Sequence, residues 1–281
     1  MLKRLWLAGM VVTIGWGGLG TAHGEATPAA QKWLEKMAAT VSGSAYSADF
    51  TMDMSMAQGG MNMKMIANGS MTQKDAKHMA MTMAMTMTGL PPGSPGGGPG
   101  GMQMDQKMIM NGDGMWMEMN SPMMGGRQVM KMSRATMEKM QGQMPGAAPG
   151  MGGSDPVAQI RQMAEQFDLD VIDESGGSVT LSAERVAGAP VPGMPPAMQQ
   201  QMGTMKLVLD GDTGFPVEMR MGGEQPVMVM KFSNFKKLEH VDESIFEYTP
   251  PAGVRVMDMD AMMQGTMPMG RPGAAPVSPS Q

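Results

Sequence analysis

The sequence predicts an α+β fold in which a strongly curved antiparallel sheet is wrapped around helices. Alternating apolar and polar residues recur in short runs along most of the chain, and a period of two is typical of strands that bury one face. Turn residues separate consecutive runs, so neighbouring strands are expected to pair in a meander. Two segments, near the N-terminus and in the middle of the chain, have helical spacing instead. Helices that accompany an antiparallel sheet are typical of the α+β class.

The first 24 residues have the organisation of a secretory signal peptide. Lys3 and Arg4 precede a mostly apolar segment, residues 5–19, and Ala22-His23-Gly24 has the small-x-small pattern of a cleavage site. No later segment is long and apolar enough to span a bilayer. We therefore expect the protein to be exported and soluble, with a mature chain that begins near residue 25.

Composition excludes several classes of function. The chain has no cysteine, which excludes disulfides, thiolate metal sites and a cysteine nucleophile. Its net charge is −5, and loss of Lys3 and Arg4 with the signal peptide makes the mature chain more acidic, so nucleic acid and anionic membrane surfaces are poor partners. Methionine accounts for 45 residues and aromatic residues for 4% of the chain, so thioethers fill much of the space that Leu, Ile and Phe normally fill.

An amphipathic helix is predicted to begin at Pro28. Trp33, Met37 and Val41 recur at four-residue spacing as its apolar stripe, and Gly43 follows its end. A short helix is expected over residues 134–144. A further helix opens at Asp155-Pro156, and its predicted buried stripe consists of Ile160, Met163, Ala164 and Phe167.

Alternation predicts about nine to eleven antiparallel strands, with a break at Asn68-Gly69. The predicted strands cover residues 50–56, 61–66, 78–89, 102–110, 115–119, 129–132, 170–173, 178–183, 204–209, 215–221 and 227–235, and Met71-Thr72-Gln73 leads into the third of them. Segments rich in Pro and Gly near 90–101, 145–154 and 190–202 are predicted insertions. One domain is therefore expected over residues 25–257, with a disordered Met/Pro/Gly-rich tail over 258–281.

The longest methionine run places its thioethers on one face of a strand. Successive side chains of a strand point to opposite faces, so the five methionines from Met79 to Met87 point one way and Ala80, Thr82, Ala84 and Thr86 the other. A loosely packed methionine surface suits an apolar cavity that accepts ligands of varying shape. The residues predicted to line this cavity are Phe50, Met52, Met54, Met63, Met65, Met79, Met81, Met83, Met85, Met87, Met108, Met110 and Met117.

Soft-metal binding and oxidant scavenging are the alternatives to an apolar cavity. Thioethers favour Cu(I), and His78 with Met79 and Met81 forms a candidate Cu(I) or Ag(I) site. Methionines also react with oxidants to give sulfoxides that can be repaired. We expect neither an enzyme nor a cofactor, because His78 and His240 of the mature chain belong to no catalytic motif.

The C-terminal part of the chain resembles the closing segment of the LolA-type periplasmic lipoprotein carriers. A strand that ends in Phe232-Ser-Asn-Phe-Lys-Lys-Leu is followed by an acidic stretch and by the run Phe246-Glu-Tyr248-Thr-Pro-Pro-Ala-Gly-Val254. This run is similar to the family's Phe-x-aromatic-Thr-Pro-Pro-x-Gly-Val. The segment Asn-Gly-Asp-Gly-Met-Trp116 is similar to the family's Ser-Asp-Gly-Lys-x-Trp, and the N-terminal helix likewise leads into a strand.

The resemblance implies an unclosed half-barrel whose helices form a lid over an apolar face. In that family the face holds acyl chains of lipoproteins during transfer to the outer membrane. It further implies a periplasmic, non-catalytic and monomeric carrier that takes up lipoprotein acyl chains or another lipid and meets inner- and outer-membrane transfer complexes. Since the chain has no cysteine to be acylated, it corresponds to the soluble carriers.

Overall fold

The computed structural model describes residues 24–58, 61–90, 101–122, 125–143, 160, 164–186, 203–223 and 226–263. The predicted signal peptide up to residue 23, most of the three predicted insertions and the tail beyond residue 263 lie outside the described residues. Within the described helices, none is long and apolar enough to cross a membrane.

Twelve strands form one sheet within the described residues. In chain order they are β1 (Ala45–Gln58), β2 (Met61–Asp75), β3 (His78–Thr88), β4 (Met102–Asn111), β5 (Gly114–Ser121), β6 (Gly126–Ser133), β7 (Phe167–Ser175), β8 (Ser178–Arg185), β9 (Thr204–Asp210), β10 (Pro216–Met221), β11 (Met228–Leu238) and β12 (Arg255–Asp258). Their order across the sheet is β12-β6-β5-β4-β3-β2-β1-β11-β10-β9-β8-β7. Two meanders therefore meet where β1 pairs with β11. The sheet is large and unclosed, with β12 and β7 at its two edges, and it fits a curved half-barrel.

Two features of the sheet differ from the prediction. The predicted break at Asn68-Gly69 is wrong, because β2 runs through both residues and Gly69 pairs with Phe50 on one side and Met83 on the other. A strand was also missed: β12 follows the C-terminal run and pairs with β6 in parallel, whereas the neighbouring pairs are antiparallel. Its residues, Arg255-Val-Met-Asp258, do not alternate between apolar and polar, so the pattern gives no strand signal there.

The described helices are few and short. They are α1 (Pro28–Ser42), α2 (Arg134–Gln143), α3 (Met259–Met263) and a 3-10 helix (Glu243–Phe246). Residues 258–263, predicted to belong to a disordered tail, therefore form the end of β12 and α3. Ile160 and residues 164–166 are also helical, but Phe167, predicted on that helix, is the first residue of β7 and pairs with Arg185. The helical stripe predicted there therefore ends before Phe167.

The N-terminal helix begins where the sequence predicts, but its buried stripe is different. Thr27 caps it by accepting a hydrogen bond from the Ala30 amide at 3.3 Å, and Pro28 occupies the first turn. The buried residues of α1 are Ala30, Leu34, Met37, Thr40 and Val41. Trp33, predicted on the stripe, is half-buried at its border, and its indole N–H donates to Glu174 Oε1 at 2.9 Å.

The main hydrophobic core lies between α1 and one end of the sheet. Leu34 and Met37 pack with buried residues of β7, β8 and β9, among them Leu181 and Leu207. A second cluster joins the C-terminal end of α1 to β1 through Val41, Tyr46, Ala48 and Phe215. Helix α1 thus covers the β7–β9 end of the sheet.

The sheet has one apolar and one polar face. Cross-strand pairing places the paired methionines, Phe50 and the leucines of β8 and β9 on the face that α1 covers at one end, which we call the apolar face. The opposite, polar face holds ion pairs between Lys64 and Asp53 at 2.9 Å and between Arg127 and Glu118 at 3.0 Å. The predicted alternation of β3 is therefore reproduced, and Thr82 and Ala84 are exposed on the polar face.

The C-terminal segment crosses the polar face and brings the two motifs of the family resemblance together. Phe246 is buried, and its carbonyl oxygen accepts a hydrogen bond from Asn111 Nδ2 at 3.3 Å. The ring of Tyr248 lies 5.4 Å from that of Trp116, and its hydroxyl donates to Glu118 Oε2 at 2.6 Å. The polar face is thus covered at the β4–β5 turn and open at its centre.

Candidate functional site: a methionine-lined sheet face

Strand register aligns methionines into rows that run across the apolar face. Directly paired residues of adjacent strands share a face and lie about 5 Å apart. The first row consists of seven consecutive partners on β9, β10, β11, β1, β2, β3 and β4: Met205, Met221, Met228, Met54, Met65, Met87 and Met102. The second row consists of six partners on β2, β3, β4, β5, β6 and β12: Met71, Met81, Met108, Met117, Met130 and Met257.

The predicted cavity residues share the apolar face but differ in burial. Phe50, Met108 and Met110 are buried, with at most 6% of each residue exposed. The remaining ten are half-buried: Met52, Met54, Met63, Met65, Met79, Met81, Met83, Met85, Met87 and Met117. Thioethers near the β4–β5 turn are therefore packed as core, whereas those of β1, β2 and β3 retain partial access to solvent.

A narrow band without paired methionines divides the face. Phe50 pairs with Gly69, which pairs with Met83, and Met83 pairs with Gln106. A Cβ on Gly69 would lie 2.5 Å from Cζ of Phe50, so the glycine makes room for the aromatic ring that lies over it. The ring and Met83 therefore separate the methionines at the two ends of β3.

Tyr46 borders this surface next to the α1 core. Its hydroxyl donates to Gln73 Oε1 at 2.8 Å, and its ring contacts Phe215 and Phe235 at centroid distances of 5.6 and 5.7 Å. Burial raises the pKa of Tyr46 to about 12, so the phenol stays neutral and holds Gln73 in place. The polar groups at this border are thus paired with each other and leave the neighbouring surface apolar.

The residues of the alternative Cu(I) site are not brought together. His78 Nδ1 lies 2.9 Å from Asp75 Oδ1, and the imidazole ring is 5.6 Å from that of Phe246. Because neighbouring side chains of a strand alternate, Met79 and Met81 point to the other face of the sheet. Among the described residues, no group of three or more His, Cys, Asp or Glu side chains is placed to hold a metal ion.

A groove of about 490 Å³ lies on the opposite, polar face. Its lining includes Asn68, Thr82, Lys107, Glu118 and Arg127, which are polar-face residues. Three of its charged side chains are engaged: Glu118 accepts from Arg127 and Tyr248, and Lys107 Nζ lies 5.8 Å from the Tyr248 ring centroid. This groove is chemically unlike the predicted methionine-lined cavity.

The rows are the feature that sequence reasoning missed. Alternation assigns each methionine to a face but says nothing about its partner on the next strand. Hairpin turns carry part of the missing information, because two-residue connections at Ala76-Lys77 and Gly112-Asp113 set the registers of β2 with β3 and of β4 with β5. The pairing of β1 with β11 joins distant parts of the chain and has no such local signal.

The chain is similar to several solved structures at low sequence identity. No family model and no curated protein matches the chain. An uncharacterized conserved protein from Thermus thermophilus is 12% identical with a TM-score of 0.40, covering 82% of this chain and 99% of its own. LprF from Mycobacterium bovis is 12% identical with a TM-score of 0.39, and the match covers 75% of this chain and 95% of LprF. A LolA superfamily protein from Nitrosomonas europaea is 11% identical with a TM-score of 0.27, and the match covers 78% of this chain and 97% of that protein. A LolA superfamily member is thus among the structural neighbours, as the sequence resemblance predicts.

Proposed function

We propose that this protein is a non-catalytic, exported lipid carrier or binding protein that holds an acyl chain against its apolar face. The observation that supports this is the continuous row of half-buried methionines from β10 to β4, which α1 leaves largely uncovered. The ligand would be the acyl chains of a lipoprotein or of another lipid. Membrane complexes at either side of the periplasm would then deliver and accept the cargo.

Methionine suits this role because of its chemistry. Thioether side chains are flexible and polarisable, so they can pack around an acyl chain without one fixed shape. Burial of each methylene contributes about 0.8 kcal/mol, so about ten methylenes supply about 8 kcal/mol before the costs of association. The half-buried row crosses six strands and spans about 24 Å, which is long enough to accommodate an extended acyl chain.

The proposal is tested by placing polar groups on either face of the same strand. In the test variant Met85→Gln and Met87→Gln make polar the β3 position of the proposed row and the neighbouring position of the same face. In the matched control Thr82→Gln and Ala84→Gln change two exposed positions of the polar face. Binding of a long-chain fatty acid with an environment-sensitive fluorophore is measured on delipidated protein.

We expect the affinity of the test variant to fall at least tenfold, which corresponds to a loss of about 1.4 kcal/mol. The control should stay within twofold of the unmodified protein. Equal losses in both variants, or no binding by the unmodified protein, would contradict the proposal.

A further inference from the structure

Two groups of four methionines lie on either side of β2 on the apolar face. On β3 and β4, Met85 pairs with Met104 and Met87 pairs with Met102; we call these four residues quartet A. On β1 and β11, the pairs are Met52 with Met230 and Met54 with Met228, which form quartet B. All eight methionines are half-buried. Both quartets therefore combine dense thioethers with access from solvent.

Two residues of β2 lie between the quartets. Ala67 pairs with Met52 of quartet B and with Met85 of quartet A, and it is fully buried with 0% exposure. Because its side chain is a single methyl group, longer neighbouring side chains must close over it. Sulfurs of the quartets are therefore not continuous at Ala67, and Met65, which pairs with Met54 and Met87, is the methionine of β2 that adjoins both quartets.

The spacing of a quartet allows its four sulfurs to converge. Two residues along a strand are about 6.8 Å apart and paired strands about 4.8 Å apart, so each corner of the rectangle lies about 4 Å from its centre. Each sulfur is two bonds beyond its Cβ and can lean inward, so the four sulfurs can meet above the centre of the rectangle. Four thioethers that converge without a competing charged side chain are a soft donor set.

Glycines in left-handed conformations lie at the strand ends beside quartet A. Gly89 follows β3 with φ 78°, and Gly101 precedes β4 with φ 67°, which are left-handed conformations that favour glycine. A Cβ on Gly101 would lie 2.5 Å from the carbonyl oxygen of Met87, so the two strands approach each other closely there. Quartet B is held similarly, since the Ser55 amide donates to the Val227 carbonyl at 2.8 Å.

Some other methionines on this face are used for packing. Met108, Met110 and Met115 are at most 8% exposed and belong to the core near the β4–β5 turn. Met219 and Met221 are half-buried and pack against the α1 core. The buried methionines near the β4–β5 turn are thus less accessible than those of the two quartets.

We propose that quartets A and B each bind one soft monovalent metal ion, Cu(I) or Ag(I). Thioether sulfur prefers such ions to hard cations, and the quartets offer no carboxylate that would recruit calcium or magnesium. This inference is independent of lipid binding, because it depends on sulfur and not on apolarity. It also assigns the metal to residues other than His78.

The test replaces sulfur without changing the apolar character of the face. Four-fold variants carry leucine at every position of quartet A or of quartet B, and Met83→Leu, outside both quartets, is the matched control. Met-to-Leu exchanges conserve volume and cost less than about 1.5 kcal/mol each. Ag(I) binding to purified protein is measured by titration calorimetry.

We expect two Ag(I) equivalents for the unmodified protein and for Met83→Leu, and one for each quartet variant. Fatty acid binding is measured separately on the unmodified, metal-free protein, so that a failure of the carrier function and a failure of Ag(I) binding are distinguished. Binding of no Ag(I), or an unchanged stoichiometry in the quartet variants, would overturn the proposal.

Two further measurements use the unmodified protein, so their outcome does not depend on whether a variant folds. Thioethers carry no proton, so Ag(I) affinity should be constant between about pH 5 and pH 8, whereas a site with an imidazole ligand would weaken as that imidazole is protonated.

Hydrogen peroxide transfers an oxygen to accessible methionine and is reduced to water. Mass spectrometry should show that Ag(I) protects the eight quartet methionines and leaves Met83 reactive. Protection of Met79 and Met81 instead would overturn the assignment.

Discussion

A buried tyrosine makes the stability of the protein sensitive to alkaline pH. Tyr46 is 4% exposed and forms its hydrogen bond with Gln73, which is 6% exposed. Burial raises its pKa from 10.0 to about 12. A folded-state pKa above the unfolded value means that the unfolded chain loses this proton first, so stability is full below about pH 10 and falls as the pH rises towards 12.

We expect the free energy of unfolding to fall by roughly 3 kcal/mol between about pH 9 and pH 12, measured by urea unfolding. Tyr46→Phe should remove most of this dependence, although it removes the donor to Gln73 Oε1 and lowers stability near neutral pH by about 1–3 kcal/mol. Tyr248→Phe is the control for the second tyrosine, whose pKa is also raised by burial. An unchanged alkaline loss in Tyr46→Phe would show that another group is responsible.

The sequence predicts the sheet face on which a side chain lies more accurately than it predicts which residues that side chain contacts. Alternation placed Met79 to Met87 on one face, and the exposed Thr82 and Ala84 lie on the other. His78 was expected beside Met79, but alternation itself separates neighbouring side chains, and Asp75 and Phe246 hold the imidazole on the polar face. A contact between Phe246 and His78 spans most of the chain and has no local signature.

At the scale of elements, α1 is tied to the sheet by polar and apolar contacts together. Lys36 Nζ donates to the Gly211 carbonyl at 2.6 Å, and Thr40 Oγ1 donates to the Thr213 carbonyl. Lifting α1 would also expose Leu34 and Met37, each of which contributes about 1.5–3 kcal/mol by burial. The cost of moving the whole helix is therefore a large part of the stability of a typical domain.

These contacts predict that lipid binding does not require α1 to move. The variant Thr40→Cys with Thr213→Cys introduces the sole thiols into a cysteine-free chain, so one disulfide can lock the helix to the β9–β10 turn. We expect fatty acid affinity to be equal within twofold in the oxidised and the reduced protein. Loss of binding on oxidation, with recovery on reduction, would instead identify α1 as a moving lid.

The sequence predicts the existence of most helices and strands, whereas it does not predict the boundary at which one element ends and the next begins. The cap at Thr27 and the first-turn proline fix the start of α1, and alternation locates the strands from β3 to β11 within a few residues. Phe167 fits a helical stripe by its spacing from Ile160 and Ala164, which is why the sequence predicts it on a helix. Pairing with β8 overrides that spacing.

At the scale of the whole molecule, the α1 end and the middle of the apolar face differ in how they are stabilised. Leu169, Leu181 and Leu209 at the α1 end are at most 1% exposed and form one core with the helix. In the middle of the sheet, Met65, Met85 and Met102 are half-buried. Since local stability follows the number of buried apolar contacts, strands β7–β9 should open less often than β2–β4.

Hydrogen exchange tests this difference and its connection to ligand binding. We expect the amides of Leu181 and Leu207 to exchange at least tenfold more slowly than those of Met83 and Met85 in the free protein. A ligand that binds only the folded state stabilises it in proportion to the logarithm of its concentration over Kd, and the gain is greatest where the ligand lies. Fatty acid should therefore slow exchange in β2–β4 and leave β7–β9 nearly unchanged. Protection confined to β7–β9 would place the acyl chain under α1 and contradict a site on the methionine rows.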